Sequence, residues 1–173
     1  MPVVFVTVGT TCFDEMIQAV DTPEVLSILA KRGYTEVVFQ IGRGEYEPKA
    51  TSHGGDDGSR LTTTCYRFNP QYKDDIRRAS LVLSHAGAGS IMDTLMEKKH
   101  LIVIPNNKLM DNHQEELAVA LAERHHLVPT TCALLAKCIA SVNLDALIPY
   151  PAIDEDAFPA CVDAMMQGGP KQA

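Results

Sequence analysis

Residues 84–95 read SHAGAGSIMDTL and directly follow the apolar run Leu81-Val82-Leu83. A histidine, two glycines and a serine between a buried strand and a helix are residue types that hold an anion. Gly87 and Gly89 allow close approach to the backbone, so the free N–H groups of a helix beginning near Ser90, and the positive end of its dipole, face an incoming phosphate. Ser90 can donate its hydroxyl to a phosphate oxygen or serve as the helix N-cap, and one residue can do both. His85, at the strand end, either donates a ring N–H to the same phosphate or is a satisfied structural residue. Asp93 lies a turn further on, where its carboxylate can accept from the two hydroxyls of a ribose diol or compensate the helix dipole. Phosphate plus diol is the chemistry of a nucleotide. The stretch lacks the Lys-Ser/Thr ending of a P-loop, and Gly87-Ala88-Gly89 lacks the third glycine of a dinucleotide fingerprint, as does the turn Gly9-Thr10-Thr11-Cys12-Phe13, which argues against ATP and NAD.

The elements that must position these residues alternate between strand and helix. Val3 to Val8 is a β-branched run closed by Gly9-Thr10-Thr11, and Phe13 to Arg32 carries apolar residues at helical spacing, interrupted at Thr22-Pro23. Gly33 ends that helix and Glu36 to Ile41 forms the second strand, closed by Gly42-Arg43-Gly44. Residues 45–60, rich in Gly and Asp, predict a flexible loop. Strands at 62–68, 80–84, 101–104 and 127–129 follow, with helices at 70–79, from the quoted stretch to about 99, at 112–125 and at 133–141. Short apolar strands separated by helices predict an α/β fold, a Rossmann-like, mostly parallel sheet with helices on both faces. Ligands of such sheets bind beyond the C-terminal strand ends. Four loops lie there: Gly9 to Thr11, Gly42 to Gly44, His85 to Ser90, and the polar stretch from Asn106 to Gln114.

Composition bounds the rest. A chain of 173 residues with 46% hydrophobic content predicts one core, residues 1–142, followed by a C-terminal segment, 143–173. The net charge is −7 and no Lys/Arg cluster exceeds a local pair, which argues against nucleic acid as a partner. Five scattered cysteines without a C-x-x-C pair, and an opening MPVVFVTVG without a basic leader, predict free thiols in a reducing, cytoplasmic compartment. No apolar stretch approaches the ~20 residues of a spanning helix, so membrane attachment is expected to come through a partner. Asp154-Glu155-Asp156 superficially matches a metal-binding D-x-D but is read as a solvated charge run, and no metal site is predicted. Phe158, Val162 and Met165/Met166 have helical spacing with Pro159 in the first turn, a helix that packs on the core or docks on a partner.

The stretch HAGAGSIMD resembles the nucleotide-binding box of UDP-sugar glycosyltransferases of the glycosyltransferase B fold. The resemblance implies that His85, Gly87, Gly89 and Ser90, with Ala88 between them, meet the diphosphate and Asp93 the ribose; Gly9, Thr10, Thr11, Gly42 and Arg43, on the first two strand-end loops, are the further candidate contacts. Asp111-Asn112-His113-Gln114 is similar to the element contacting the donor sugar, with Asn112 and Gln114 as sugar-side contacts. The openings FVTVGTTCFDEMI and VVFQIGRG, with LSHAGAGSI, LIVIPNNKLMDNHQEELA and LIPYP, resemble the catalytic-subunit family of two-subunit UDP-N-acetylglucosamine transferases acting in dolichol-linked chitobiose synthesis. That family implies a single donor-binding lobe, UDP-GlcNAc as donor, dolichyl-diphosphate-GlcNAc as acceptor, and a membrane-anchored partner subunit at the cytosolic face of the endoplasmic reticulum. It implies inverting transfer without a cofactor. His113 is the candidate general base, with Glu115 or a partner residue as alternatives. A non-catalytic UDP-sugar-binding subunit, or a transferase with another acceptor, would use the same box.

Overall fold

The computed structural model describes residues 2–49, 52–54, 60–106 and 112–151, with 52–54 and 112–115 described by their backbone. Strand β1 (Val3–Thr7) is buried at every position. Such a strand needs cover on both faces, and the alternation of side chains divides it between two cores. Val4 and Val6 pack with Ile17 of helix α1 (Asp14–Val20), Leu26 and Leu29 of α2 (Pro23–Lys31), and Ile139. Val3 and Phe5 pack on the other face with Ile76, Ile91, Leu95 and Leu121. The break between α1 and α2 has a local cause: Thr22 is the N-cap of α2, its side chain accepts from the Val25 N–H, and Pro23 occupies the first turn.

The remaining elements are β2 (Glu36–Gln40), β3 (Ser52–Gly54), β4 (Arg60–Tyr66), α3 (Tyr72–Arg78), β5 (Ala79–Ser84), α4 (Ala88–Met96), β6 (His100–Val103), α5 (Asn112–Glu123), β7 (Val128–Pro129) and α6 (Leu135–Ser141). The strands form one sheet in the order β3-β4-β2-β1-β5-β6-β7. All neighbours are parallel except β3 and β4. The parallel, two-faced sheet matches the sequence expectation; β3 corrects it, because it lies inside the segment read as a loop. Residues flanking β3 are also tied down: Tyr46 donates to Asp21 at 2.6 Å, and Thr63 donates to the Lys49 carbonyl at 3.1 Å. A polar, glycine-rich segment conceals a sheet edge, since backbone pairing needs no apolar pattern.

From β1 the chain moves outward through β2 to β4 on one side, then returns to β5 and continues to β6 and β7 on the other. The switch of direction falls between β1 and β5, so the loops after these two strands open a crevice at the C-terminal sheet edge. After α6 the chain turns back along the domain. Arg32 donates to the carbonyls of Ile139 and Val142, at 2.6 and 3.0 Å, closing the end of α6 with a cation. The Ile148 N–H donates to the His125 carbonyl at 2.8 Å, and the rings of His126 and Tyr150 meet edge to face at 5.2 Å. The C-terminal segment therefore packs on the core as far as Tyr150; the helix expected around Phe158 to Met166 lies outside the described residues, as does Asp154-Glu155-Asp156.

Candidate functional site

The turn from β5 into α4 is tighter than its sequence suggests. Gly87 is the N-cap of α4 and the Ile91 N–H bonds the Gly87 carbonyl, so Ser90 sits inside the first turn. The helix therefore starts two residues before Ser90, and of the two roles open to Ser90 the N-cap falls to Gly87. The amides of Ala88, Gly89 and Ser90 precede the first intrahelical bond and form the electropositive helix end. Buried Ala86 holds the turn with φ +70.

The His85 ring is seated against the backbone. Its Nδ1 lies 3.3 Å from the Thr7 carbonyl, which can only accept, so Nδ1 carries the proton and Nε2 of the neutral ring offers a lone pair. A Cβ at Gly87 would lie 2.5 Å from His85 Nε2, and one at Gly9 3.1 Å from its Cε1, so both glycines make room for this ring. Burial lowers the His85 pKa below its ordinary value, and the Thr7 carbonyl opposes that shift without reversing it.

These groups line one cleft of about 680 Å³ together with Gly9, Thr10, Thr11, Gln40, Phe68, Asn69, Pro70 and Tyr72. Its size suits a small-molecule ligand. Its lining combines the start of α4, Ser90 and His85 with the exposed Phe68 ring, Pro70 and Tyr72. The loop after β4, which supplies Phe68 to Tyr72, joins the strand-end loops expected at the cleft. The strand-end rule itself was the available signal.

Of the residues expected at the site, Gly9, Thr10, Thr11, His85, Gly87, Ala88, Gly89 and Ser90 come together on this wall. Gly42 and Arg43 do not. Gly42 is buried beneath the β1 turn at φ +56, and the Arg43 N–H donates to the Thr11 carbonyl at 2.9 Å while its side chain is exposed. Asp93 is also off the wall. Its carboxylate accepts from the Tyr72 hydroxyl and from Lys73 Nζ, the latter at 2.8 Å. Burial pushes the Asp93 pKa up, but the Lys73 and Tyr72 hydrogen bonds outweigh it and the net shift is downward. Burial and the same bond push Tyr72 up to about 12. Asn112, His113 and Gln114 open α5, and their side chains lie outside the described residues.

A switch-point crevice bounded by a free helix start is the ligand site of a doubly wound α/β lobe, and the fold is that of a glycosyltransferase B lobe. The profile of the glycosyltransferase family 28 C-terminal domain matches residues 3–163, and the chain belongs to that family. It is 45% identical over 146 residues to the human UDP-N-acetylglucosamine transferase subunit ALG13, covering 82% of this chain and 12% of that protein. The chain thus spans about an eighth of the human and mouse relatives, 12% in each case. Identity to the ALG13 subunit of Candida glabrata is 32% over 185 residues, covering 89% and 93% of the two chains. An NMR structure of ALG13 superimposes with TM-score 0.64 at 26% identity, over 92% of this chain and 94% of that one. The MurG structure from Acinetobacter baumannii shares the fold, with TM-score 0.61 at 15% identity over 96% of this chain and 50% of MurG.

Gly89 provides a test of backbone approach. A Cβ there would meet nothing within 4 Å, and the residue is exposed in the first turn of α4. Gly89→Ala should therefore stabilise the unliganded chain by about 0.5 kcal/mol through backbone entropy. If an anion rests on the α4 amides, the same methyl stands in its way and UDP affinity should fall. Thermal melts with and without UDP measure both; a variant that gains stability and keeps its affinity removes Gly89 from the ligand's path.

Proposed function

We propose that the chain is the donor-binding, catalytic subunit of a two-subunit UDP-N-acetylglucosamine transferase. The reaction is that of N-acetylglucosaminyldiphosphodolichol N-acetylglucosaminyltransferase, in which the second GlcNAc passes from UDP-GlcNAc to dolichyl-diphosphate-GlcNAc. The observation that supports this reading most is the cleft itself: the free start of α4 and the apolar residues Phe68 and Pro70 line one cavity of about 680 Å³. The α4 amides, Ser90 and His85 hold the diphosphate, Thr10 and Thr11 close over it, and the uracil lies toward Phe68 and Pro70. Asp93 takes the ribose diol in exchange for the Tyr72 hydroxyl. Asn112 and Gln114, at the start of α5, are the sugar contacts that the resemblance implies.

In the transfer, the acceptor hydroxyl oxygen attacks the anomeric carbon as the bond to the β-phosphate oxygen breaks, so configuration inverts and UDP leaves. The hydroxyl proton passes to a base, His113 or a residue of the partner. Negative charge grows on the diphosphate in the transition state, and fixed donors aimed at it lower the barrier without reorganising. Among the described residues no helix is long and apolar enough to cross a membrane. A membrane-anchored partner that supplies the acceptor lobe would hold this subunit at the cytosolic face of the endoplasmic reticulum.

The deciding experiment measures GlcNAc transfer to a short-chain dolichyl-diphosphate-GlcNAc analogue by the purified chain, alone and coexpressed with that partner. Transfer by the complex and almost none by the chain alone is expected. A complex that binds UDP but transfers nothing would reduce the chain to a donor-binding subunit, and full activity of the chain alone would remove the need for a second lobe.

A further inference from the structure

Gln40 is 5% exposed, ends β2 after Val37-Val38-Phe39, and lines the cleft. Its partner fixes which way the amide points. The Gly9 N–H donates to Thr7 Oγ1 at 3.0 Å, and Thr7 Oγ1 donates to Gln40 Oε1 at 2.6 Å. Thr7 is itself fully buried. This relay spends the amide oxygen inside the protein, while Nε2, with its two hydrogens, finds no partner among the described residues and is left to the cleft. Nε2 is not among the buried side-chain atoms left without a partner, so it meets the solvent of the cleft, where a ligand oxygen can take the place of water.

The relay also places Gln40 at the anionic end. Gly9, which starts it, is the residue whose Cβ would fall 3.1 Å from His85 Cε1 and 3.8 Å from Ser90 Oγ. Thr7 is the register neighbour of both Gln40 and Ser84, the residue before His85, so the three side chains rise from one face of the sheet beneath the start of α4. We propose that Gln40 is a further ligand-binding residue, donating from Nε2 to an oxygen of the donor's diphosphate, with Thr7 as the positioning residue that keeps the amide from turning over. This inference rests on the nucleotide reading of the cleft. The donor's location has a chemical consequence: a neutral amide fixed as donor accepts phosphate oxygens and rejects a group that must itself donate. The Thr7 hydroxyl accepts from Gly9 and directs its proton to Oε1, which leaves Nε2 as the cleft-side atom.

Two volume-conserving variants test it. Gln40→Met keeps the length and loses the donor; Gln40→Glu keeps the shape and turns the cleft-facing atom into an anionic acceptor. Titrations use UDP, and uridine as the ligand lacking phosphate. The expected result is about a tenfold weaker UDP affinity in Gln40→Met, a larger loss in Gln40→Glu, and unchanged uridine affinity in both, which also shows the fold intact. UDP affinity within twofold of the parent in Gln40→Met, or uridine affinity falling as far as UDP affinity, would overturn the assignment. Failure of the parent chain to bind UDP is a separate outcome, since it rejects the nucleotide reading before Gln40 is tested.

Discussion

Gly42→Ala should destabilise the chain by about 3 kcal/mol or more, the range of severe steric substitutions. A Cβ at this position would lie 2.3 Å from the Thr11 carbonyl oxygen and 2.8 Å from that of Gly9. Both are backbone atoms, so no side-chain rotation relieves the contact, and φ +56 adds the left-handed penalty. The β2 turn is pinned from below, where the Gly42 N–H donates to the Arg67 carbonyl at 3.2 Å. In a domain of this size the loss corresponds to a melting temperature lower by roughly 10 °C. Gly33→Ala is the control, because Gly33 also has a positive φ, +87, but an added Cβ would meet nothing within 4 Å. It should cost only about 1 to 2 kcal/mol. Equal losses in the two variants would show that conformation alone, and not the seating of the β1 turn on the β2 turn, makes Gly42 necessary.

His85→Ala combined with Ser90→Ala should weaken UDP binding by about 1 to 3 kcal/mol, as expected when hydrogen bonds to a charged group are lost. The pH dependence separates the two residues. In the free chain His85 is neutral with its proton on Nδ1, and burial holds its pKa below 6.5. Donation from Nε2 to a phosphate oxygen therefore requires uptake of a proton, and the bound anion raises the pKa. Between the two values UDP affinity should rise as pH falls, by up to about tenfold per unit. Stability of the free chain has the opposite slope. A histidine with a depressed folded pKa contributes stability that is fully present above its unfolded value of 6.5 and is lost as pH falls through the folded value. Calorimetry of UDP binding across this window, repeated on His85→Ala, checks the sign. A flat profile in the parent chain would mean that His85 meets the ligand as an acceptor or not at all, leaving Ser90 and the α4 amides to hold the anion.

Much of the site was legible because its residues are contiguous and their chemistry is local. SHAGAGS announces a strand, a turn without bulk and a helix start, and those three features alone place free amides at a sheet edge. Alternating apolar runs determined the parallel sheet for a similar reason: strands buried on both faces must be apolar throughout, and only helices can cover them. Thr22-Pro23 carried its own helix break. What the sequence could not give was anything decided between elements. Gly42 looks like a ligand-approach glycine, and only the fold shows that the close approach is to the carbonyls of Gly9 and Thr11. Asp93 has the right spacing for a diol, but Tyr72 and Lys73, 21 and 20 residues earlier on another helix, hold its carboxylate, so a diol reaches it only in exchange for the Tyr72 bond. Gln40, at the end of β2, is oriented only by Thr7, 33 residues away, which holds its amide oxygen. Local sequence determines which backbone groups and side chains are offered, because propensity and capping act over a few residues. Which of them are left free for a ligand is decided by neighbours across the sheet, since a polar group satisfied inside the protein has little left to offer outside it.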